Sequence, residues 1–126
     1  MYAQLQAYRT VEKSTMPDGR ELEAAVLTKA AHMLTYCKNN WDVPDCHAKL
    51  DEALRLNQTI WSFFQSELAK PDNPLPKKIR EDILSLSIFI DKRILNIMVE
   101  PSPEKLNIII NINLNLAAGL KGSSNI

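Results

Sequence analysis

Glycine is scarce: three residues in 126, two of which, Gly119 and Gly122, lie close to the end of the sequence. With so little of the residue that supplies tight turns, long periodic segments point to helices rather than to many hairpins. Charge excess is missing as well, since 15 basic residues face 15 acidic ones. Without a basic surplus there is no footprint of a nucleic-acid binder, and without an acidic one no composition of a disordered chain. No apolar run approaches the ~18 residues of a membrane span. The opening MYAQLQAYR has no apolar stretch of the signal-peptide kind. The expected compartment is the cytosol, where Cys37 and Cys46 stay reduced thiols. Neither G-x-x-x-x-G-K nor G-x-G-x-x-G occurs, so no phosphate loop is expected.

What is present is helical periodicity cut by proline and asparagine. A length of 126 residues suits one domain with a core that needs neither disulfide nor metal. The stretch Leu50–Leu68 places Leu50, Ala53, Leu54, Ile60, Trp61, Phe64 and Leu68 on one stripe of a helix of about five turns. Asn57 sits on that stripe. A buried amide there needs partners for both its ends, so it is expected to bond across to another helix or to a bound chain. The stripe reads first as a core helix with one polar register-setting residue; the alternative is that part of it, near Trp61, receives a partner's helix.

The flanking segments repeat the pattern. Thr15–Gly19 breaks the chain, and Asp18 with Glu21 has the shape of a capping box after Pro17. A helix then runs from about Arg20 to Asn39, with its stripe at Leu22, Ala25 or Val26, Lys29, Met33 and Tyr36. Its Ala-rich centre allows a second helix to pack close. Asn39–Asp45 is a loop, with Asp45 as N-cap of the central helix. Lys70–Pro76 holds three prolines in seven residues and forms a stiff connector.

From Lys77 to about Val99 a third helix carries Ile79, Ile83, Leu86, Ile90, Ile94 and Ile97, widened by Leu84, Ile88, Leu95 and Met98. A helix apolar over so much of its circumference is central in a bundle or contacts a partner. After Pro101, Ser102 caps a last helix with Pro103 in its first turn. Residues 110–116 alternate apolar and Asn, which suits a strand. The helical start signal, Gly119 at the helix C′ position and the lack of a second strand decide for helix, from about Pro103 to Ala118. The expected architecture is an all-α bundle of four to five helices with Pro- and Asn-rich connectors. It forms a single domain over residues 1–126, with an N-terminal arm at 1–16 and a disordered tail at 121–126. In the arm, Tyr2, Leu5 and Tyr8 fall at helical spacing.

Residue chemistry offers little to catalysis. His32, Cys37, Cys46 and His47, spaced H-x4-C-x8-C-H, match no common zinc spacing. Packed cysteines and surface histidines are expected, with no metal, no cofactor and no enzymatic activity. Lys77, Lys78 and Arg80 form one small basic cluster, an alternative contact for RNA, although no aromatics interleave with it. The remaining resource is apolar helix surface, suited to holding another helix.

Specific residues then carry a resemblance. Leu50-x-Glu52-Ala53-Leu54-x-x-Asn57-x-x-x-Trp61-x-x-Phe64 resembles the signature of the flagellar FlaF family. So do Pro71-x-Asn73-x-Leu75-Pro76 followed by Arg80, Ile83, Ser85 and Leu86, and Ile112-Asn113 ahead of Gly119-Leu120. Pro17 with Arg20-Glu21-Leu22-Glu23 resembles the family's opening. The chain departs from the pattern at Gln58 and Thr59 and at Leu114, where members tend to be basic, and in the inserted Asp18-Gly19. The resemblance implies a small cytosolic helical protein needed for flagellin secretion, binding flagellin before export and working beside a FlbT-family regulator of flagellin translation. On that reading Asn57, Trp61, Phe64, Asn113 and Leu116 are the candidate partner-binding residues. The alternative is a post-transcriptional regulator acting through RNA or an RNA-binding partner.

Overall fold

The computed structural model describes residues 19–124, which form four α-helices. These are α1 (Arg20–Asn39), α2 (Cys46–Leu68), α3 (Lys77–Val99) and α4 (Asn107–Ser124), with a 3-10 turn at Pro103–Leu106 before the last. No strand occurs among the described residues. The expected all-α bundle is the fold observed. The arm at 1–16 and the Asp18 cap lie outside the described residues.

Local chemistry sets the helix ends. Glu21 and Glu23 place negative charge at the positive end of α1, and Lys38 lies in its last turn. Asn40 closes that helix, its backbone N–H donating to the Tyr36 and Cys37 carbonyls and its Nδ2 to Tyr36 O at 2.8 Å. Asp45 occupies the N-cap position of α2, but its side chain makes no capping bond. Its carboxylate instead lies 3.5 Å from Lys49 Nζ. In the proline connector, Asn73 Nδ2 donates to Glu67 O at 3.0 Å and its Oδ1 accepts from Leu75 N–H at 3.0 Å. One amide thus ties the end of α2 to the approach of α3.

Two boundaries differ from the sequence expectation. The last helix does not begin as α-helix at Pro103: the first turn is 3-10, and Ser102, although extended, makes no side-chain cap. Nor does Gly119 end it. The helix passes through Gly119 to Ser124, and no residue among those described has positive φ. Residues 121–124, expected as disordered tail, are therefore helical. Leu106 at the end of the 3-10 turn and Ile109, Ile110, Asn113 and Ala117 in α4 are the buried positions. Those steps belong to a helix, so the alternation of Asn with apolar residues does not set the structure.

The helices line up in the order α4, α1, α2, α3. α1 packs most extensively on α4 and next on α2, while α3 packs chiefly on α2. The close α1–α4 pairing follows from small side chains, since Ala24, Ala30 and Ala31 are fully buried. This pairing also rotates α1 away from the expected stripe. Its inward residues are Ala24, Leu27, Ala30, Ala31, Leu34 and Cys37, whereas Ala25, Lys29 and Tyr36 are exposed. Met33 is half-buried against the edge of the core, and Tyr36 meets Lys49 of α2, whose Nζ donates to the Tyr36 hydroxyl at 3.3 Å. α3 shifts similarly: Ser87, Ile90, Ile94 and Ile97 are buried, and Ile79 and Leu86 are exposed.

Candidate functional site

Three of the five candidate binding residues meet in the interior. Asn57, Trp61 and Asn113 have no exposed surface. Trp61 Nε1 donates to Asn113 Oδ1 at 3.0 Å, Asn113 Nδ2 donates to Asn57 Oδ1 at 2.6 Å, and Asn57 Nδ2 donates to Ala53 O at 2.8 Å. The direction of the chain is fixed at both ends. An indole N–H can only donate and a backbone carbonyl can only accept, so both amides must point the same way. Asn57 therefore finds partners for both ends, one of them on another helix, as its place on the stripe suggested. The relay joins α2 to α4, and in this conformation all three side chains are core.

Phe64 and Leu116 stand differently. Phe64 packs edge-on against Trp61, ring centroids 5.6 Å apart, and keeps 8 % of its surface exposed. Together with the half-buried Leu116 it lines a cleft of about 320 Å³ between the start of α1, the end of α2, the proline connector and the end of α4. Phe63, Leu68, Leu75 and Leu120 complete its apolar wall.

Among the described residues, most of the exposed large apolar side chains lie on α3. Ile88, Leu95 and Val99 are 55 %, 57 % and 85 % exposed, and Phe89, Leu86 and Met98 are also exposed. Ile88, Leu95 and Val99 are spaced seven and four apart, so they form one stripe, turned away from the buried Ile90–Ile94–Ile97 stripe. Single exposed apolar residues are ordinary, but an aligned set on an edge helix marks a contact surface. Polar groups frame it: Asp91 accepts from Gln65 Nε2 at 2.9 Å, and the Arg93 guanidinium lies 5.6 Å from the Phe89 ring centre. The sequence signal for this face was the apolar breadth of the helix, which exceeds what one neighbour can bury. Phe89 and Val99 were not among the residues it singled out.

The remaining chemistry is structural. Cys37 and Cys46 are buried thiols, with Cys46 Sγ 3.8 Å from Cys37 O, while His32 and His47 are exposed. Burial first, then the neighbouring Cys46, pushes the Cys37 thiol up to about 11. A thiol held protonated in this way is a poor nucleophile. Among the described residues no three His, Cys, Asp or Glu side chains gather as a metal site. The basic trio lies in the first turn of α3. Lys77 and Lys78 are exposed, Lys78 pairs with Asp82 at 3.0 Å, and Arg80 is half-buried with its Nε lacking a hydrogen-bond partner. Among the described residues, no helix is long and apolar enough to cross a membrane.

A family model described as "Flagellar protein FlaF" matches residues 4–120, nearly the whole chain. No curated protein and no solved structure matches it. The chain belongs to the FlaF family of flagellar proteins.

Proposed function

We propose that this FlaF-family protein binds flagellin in the cytosol as an export chaperone, promotes its secretion and filament assembly, and thereby links export to post-transcriptional control of flagellin synthesis. The observation that carries this reading is the outer face of α3, where Ile88, Leu95 and Val99 form an aligned apolar stripe on an edge helix. Flagellin termini are amphipathic segments that polymerise through helix packing. An amphipathic helix laid along α3 buries both stripes and keeps the flagellin chain from polymerising before export. A catalytic reading has no comparable support, given the buried high-pKa thiol of Cys37 and the dispersed histidines. A FlbT-family translational regulator is the second partner of this proposal, in keeping with the family resemblance.

The site differs from the residues first singled out. In this proposal the contact lies on α3, because Asn57, Trp61 and Asn113 are buried. The RNA reading rests on Lys77, Lys78 and Arg80, of which Lys78 pairs with Asp82. The test is co-purification of the protein with full-length flagellin and with flagellin lacking either terminus. Complex formation that needs one terminus, and that is lost in Ile88→Asp and Leu95→Asp, is the expected result. Equal binding by these variants and the parent removes α3 as the site, and absence of any complex removes the chaperone reading. A salt-sensitive shift of flagellin leader RNA would instead favour the RNA alternative.

A further inference from the structure

The outer face of α3 carries a charge pattern as well as an apolar one. Glu81, Ile88 and Leu95 are seven residues apart, and so are Ser85, Lys92 and Val99, offset from them by four. All are exposed. Two interleaved rows of this period form the seam along which one helix pairs with another. α2 packs on the opposite side of α3, so no helix among the described residues obstructs that seam. Glu81 and Lys92 interrupt the apolar rows, and neither has an ion-pair partner among the described residues. Charges near them are engaged elsewhere: Lys78 pairs with Asp82, and Asp91 accepts from Gln65. A carboxylate and an ammonium set into an apolar stripe weaken its attraction for an arbitrary apolar surface. They suit a surface that presents the opposite charges at the same separation.

We infer that this face pairs with the same face of a second copy of the chain, the two α3 helices running antiparallel and crossing near residues 86 and 87. In a two-fold interface, if residue i meets residue j, then j meets i. A register that sets Glu81 against the partner subunit's Lys92 also sets Ile88 against the partner subunit's Ser85, because both pairs centre on the same point of the helix. A large side chain thus meets a small one. The same register lays Leu95 along the aliphatic stem of the partner subunit's Lys78. Symmetry makes two ion pairs, one on each side of the crossing, and the opposed helix dipoles favour this direction. A parallel pair would instead oppose Lys92 to Lys92 and Glu81 to Glu81, which like charges disfavour. The antiparallel helices overlap over residues 77–96, about 30 Å. A contact of that length and one helix wide is at the small end of specific interfaces, so the dimer is reversible, with a Kd on the order of 10 µM. The inference rests on the reading of α3 as the contact face and adds its regulation: without flagellin a second copy covers the face, and flagellin binds by displacing it.

Sedimentation equilibrium of the full chain without flagellin, from about 1 to 300 µM to bracket that Kd, tests the dimer apart from the proposed function. The parent is expected to pass from monomer to dimer across this range, and Ile88→Asp to weaken the dimer tenfold or more. Glu81→Lys and Lys92→Glu each set like charges opposite one another and are expected to weaken it about fivefold. The double variant Glu81→Lys/Lys92→Glu rebuilds both ion pairs with their signs exchanged and is expected to regain the parent's Kd. Both positions are exposed, so an unchanged melting temperature in dilute solution shows that these variants fold. A parent that stays monomeric at every concentration overturns the inference, whether α3 is bare or covered by other residues of its own chain. A dimer indifferent to Ile88→Asp uses another face and overturns it too. So does a double variant as weak as the single ones, which removes the antiparallel register. A monomer that binds flagellin refutes the dimer alone, whereas a dimer that binds no flagellin refutes the proposed function alone.

Discussion

Two regions of this bundle invert the usual arrangement. Between α2 and α4 the interior is polar: two amides and an indole N–H lie fully buried, each bonded to the next. On the outer face of α3 the surface is apolar: Ile88, Leu95 and Val99 are exposed, with no neighbouring helix among the described residues over them. The interior exception is complete in itself. Every donor in the relay has an acceptor, so it costs little and fixes which residues of α2 face which residues of α4. The surface exception is incomplete, because an apolar stripe gains its free energy only when something covers it. Polar groups inside specify the fold, and apolar groups outside specify an association. The residues most tempting as a binding site, Asn57 and Trp61, belong to the first kind.

Substitution separates the two regions, and Trp61→Ala should have the largest effect. It removes the largest buried side chain together with a relay donor, and is expected to cost ~3–5 kcal/mol in a urea melt. A loss below about 1 kcal/mol would place Trp61 outside the core, against its 0 % exposure.

Next come the amides, which differ in a way the relay dictates. Asn113→Leu leaves two buried groups unpaired, the Trp61 N–H and the Asn57 carbonyl, at ~1–3 kcal/mol each. Asn57→Leu leaves only the Asn113 amide nitrogen without its acceptor. Asn113→Leu should therefore be the more destabilising, and equal effects would show that the relay does not act as a directed chain.

On α3 the expected pattern reverses. Leu95→Asp should change stability by no more than about 0.5 kcal/mol. It should weaken flagellin binding tenfold or more, equivalent to about 1.4 kcal/mol. A large drop in melting temperature would show that the face is covered within the protein itself.

A further effect concerns pH. Burial raises the Cys37 thiol from 9.0 to about 11, so the folded state holds its proton where the unfolded state releases it. The stabilisation from the protonated thiol is complete below pH 9 and is lost as pH rises toward 11. Denaturant melts between pH 8 and 11 should show a decline that is shallower in Cys37→Ala. Identical slopes would remove Cys37 as its source.

Comparing these regions also shows what a sequence can carry. The Lys70–Pro76 connector, the Asn39–Pro44 loop and Pro101 bounded α1, α2 and α3 almost to the residue, because proline and asparagine act on the backbone at their own positions. The family signature around Asn57 and Trp61 was legible for the same local reason, and matches the family assignment of residues 4–120. The role of those residues was not. On a helical wheel a buried amide and a groove-lining amide occupy the same place, and only the arrival of Asn113 on α4 distinguishes them.

The sequence by itself determined the ends of α1, α2 and α3, and that Asn57 must find two partners, since these follow from backbone stereochemistry and from hydrogen-bonding capacity. The tertiary structure alone decided the rotation of each helix and therefore which apolar stripe faced water. Alanine contributes little to any amphipathic count, yet Ala24, Ala30 and Ala31 let α4 come close, leaving Met33 at the edge of the core and Tyr36 exposed. The surplus of apolar residues on α3 was visible in the sequence. That α3 lies at an edge, with α2 as its chief neighbour among the described residues, was set by the packing order of four helices, because which neighbour a stripe meets depends on residues far apart in the chain.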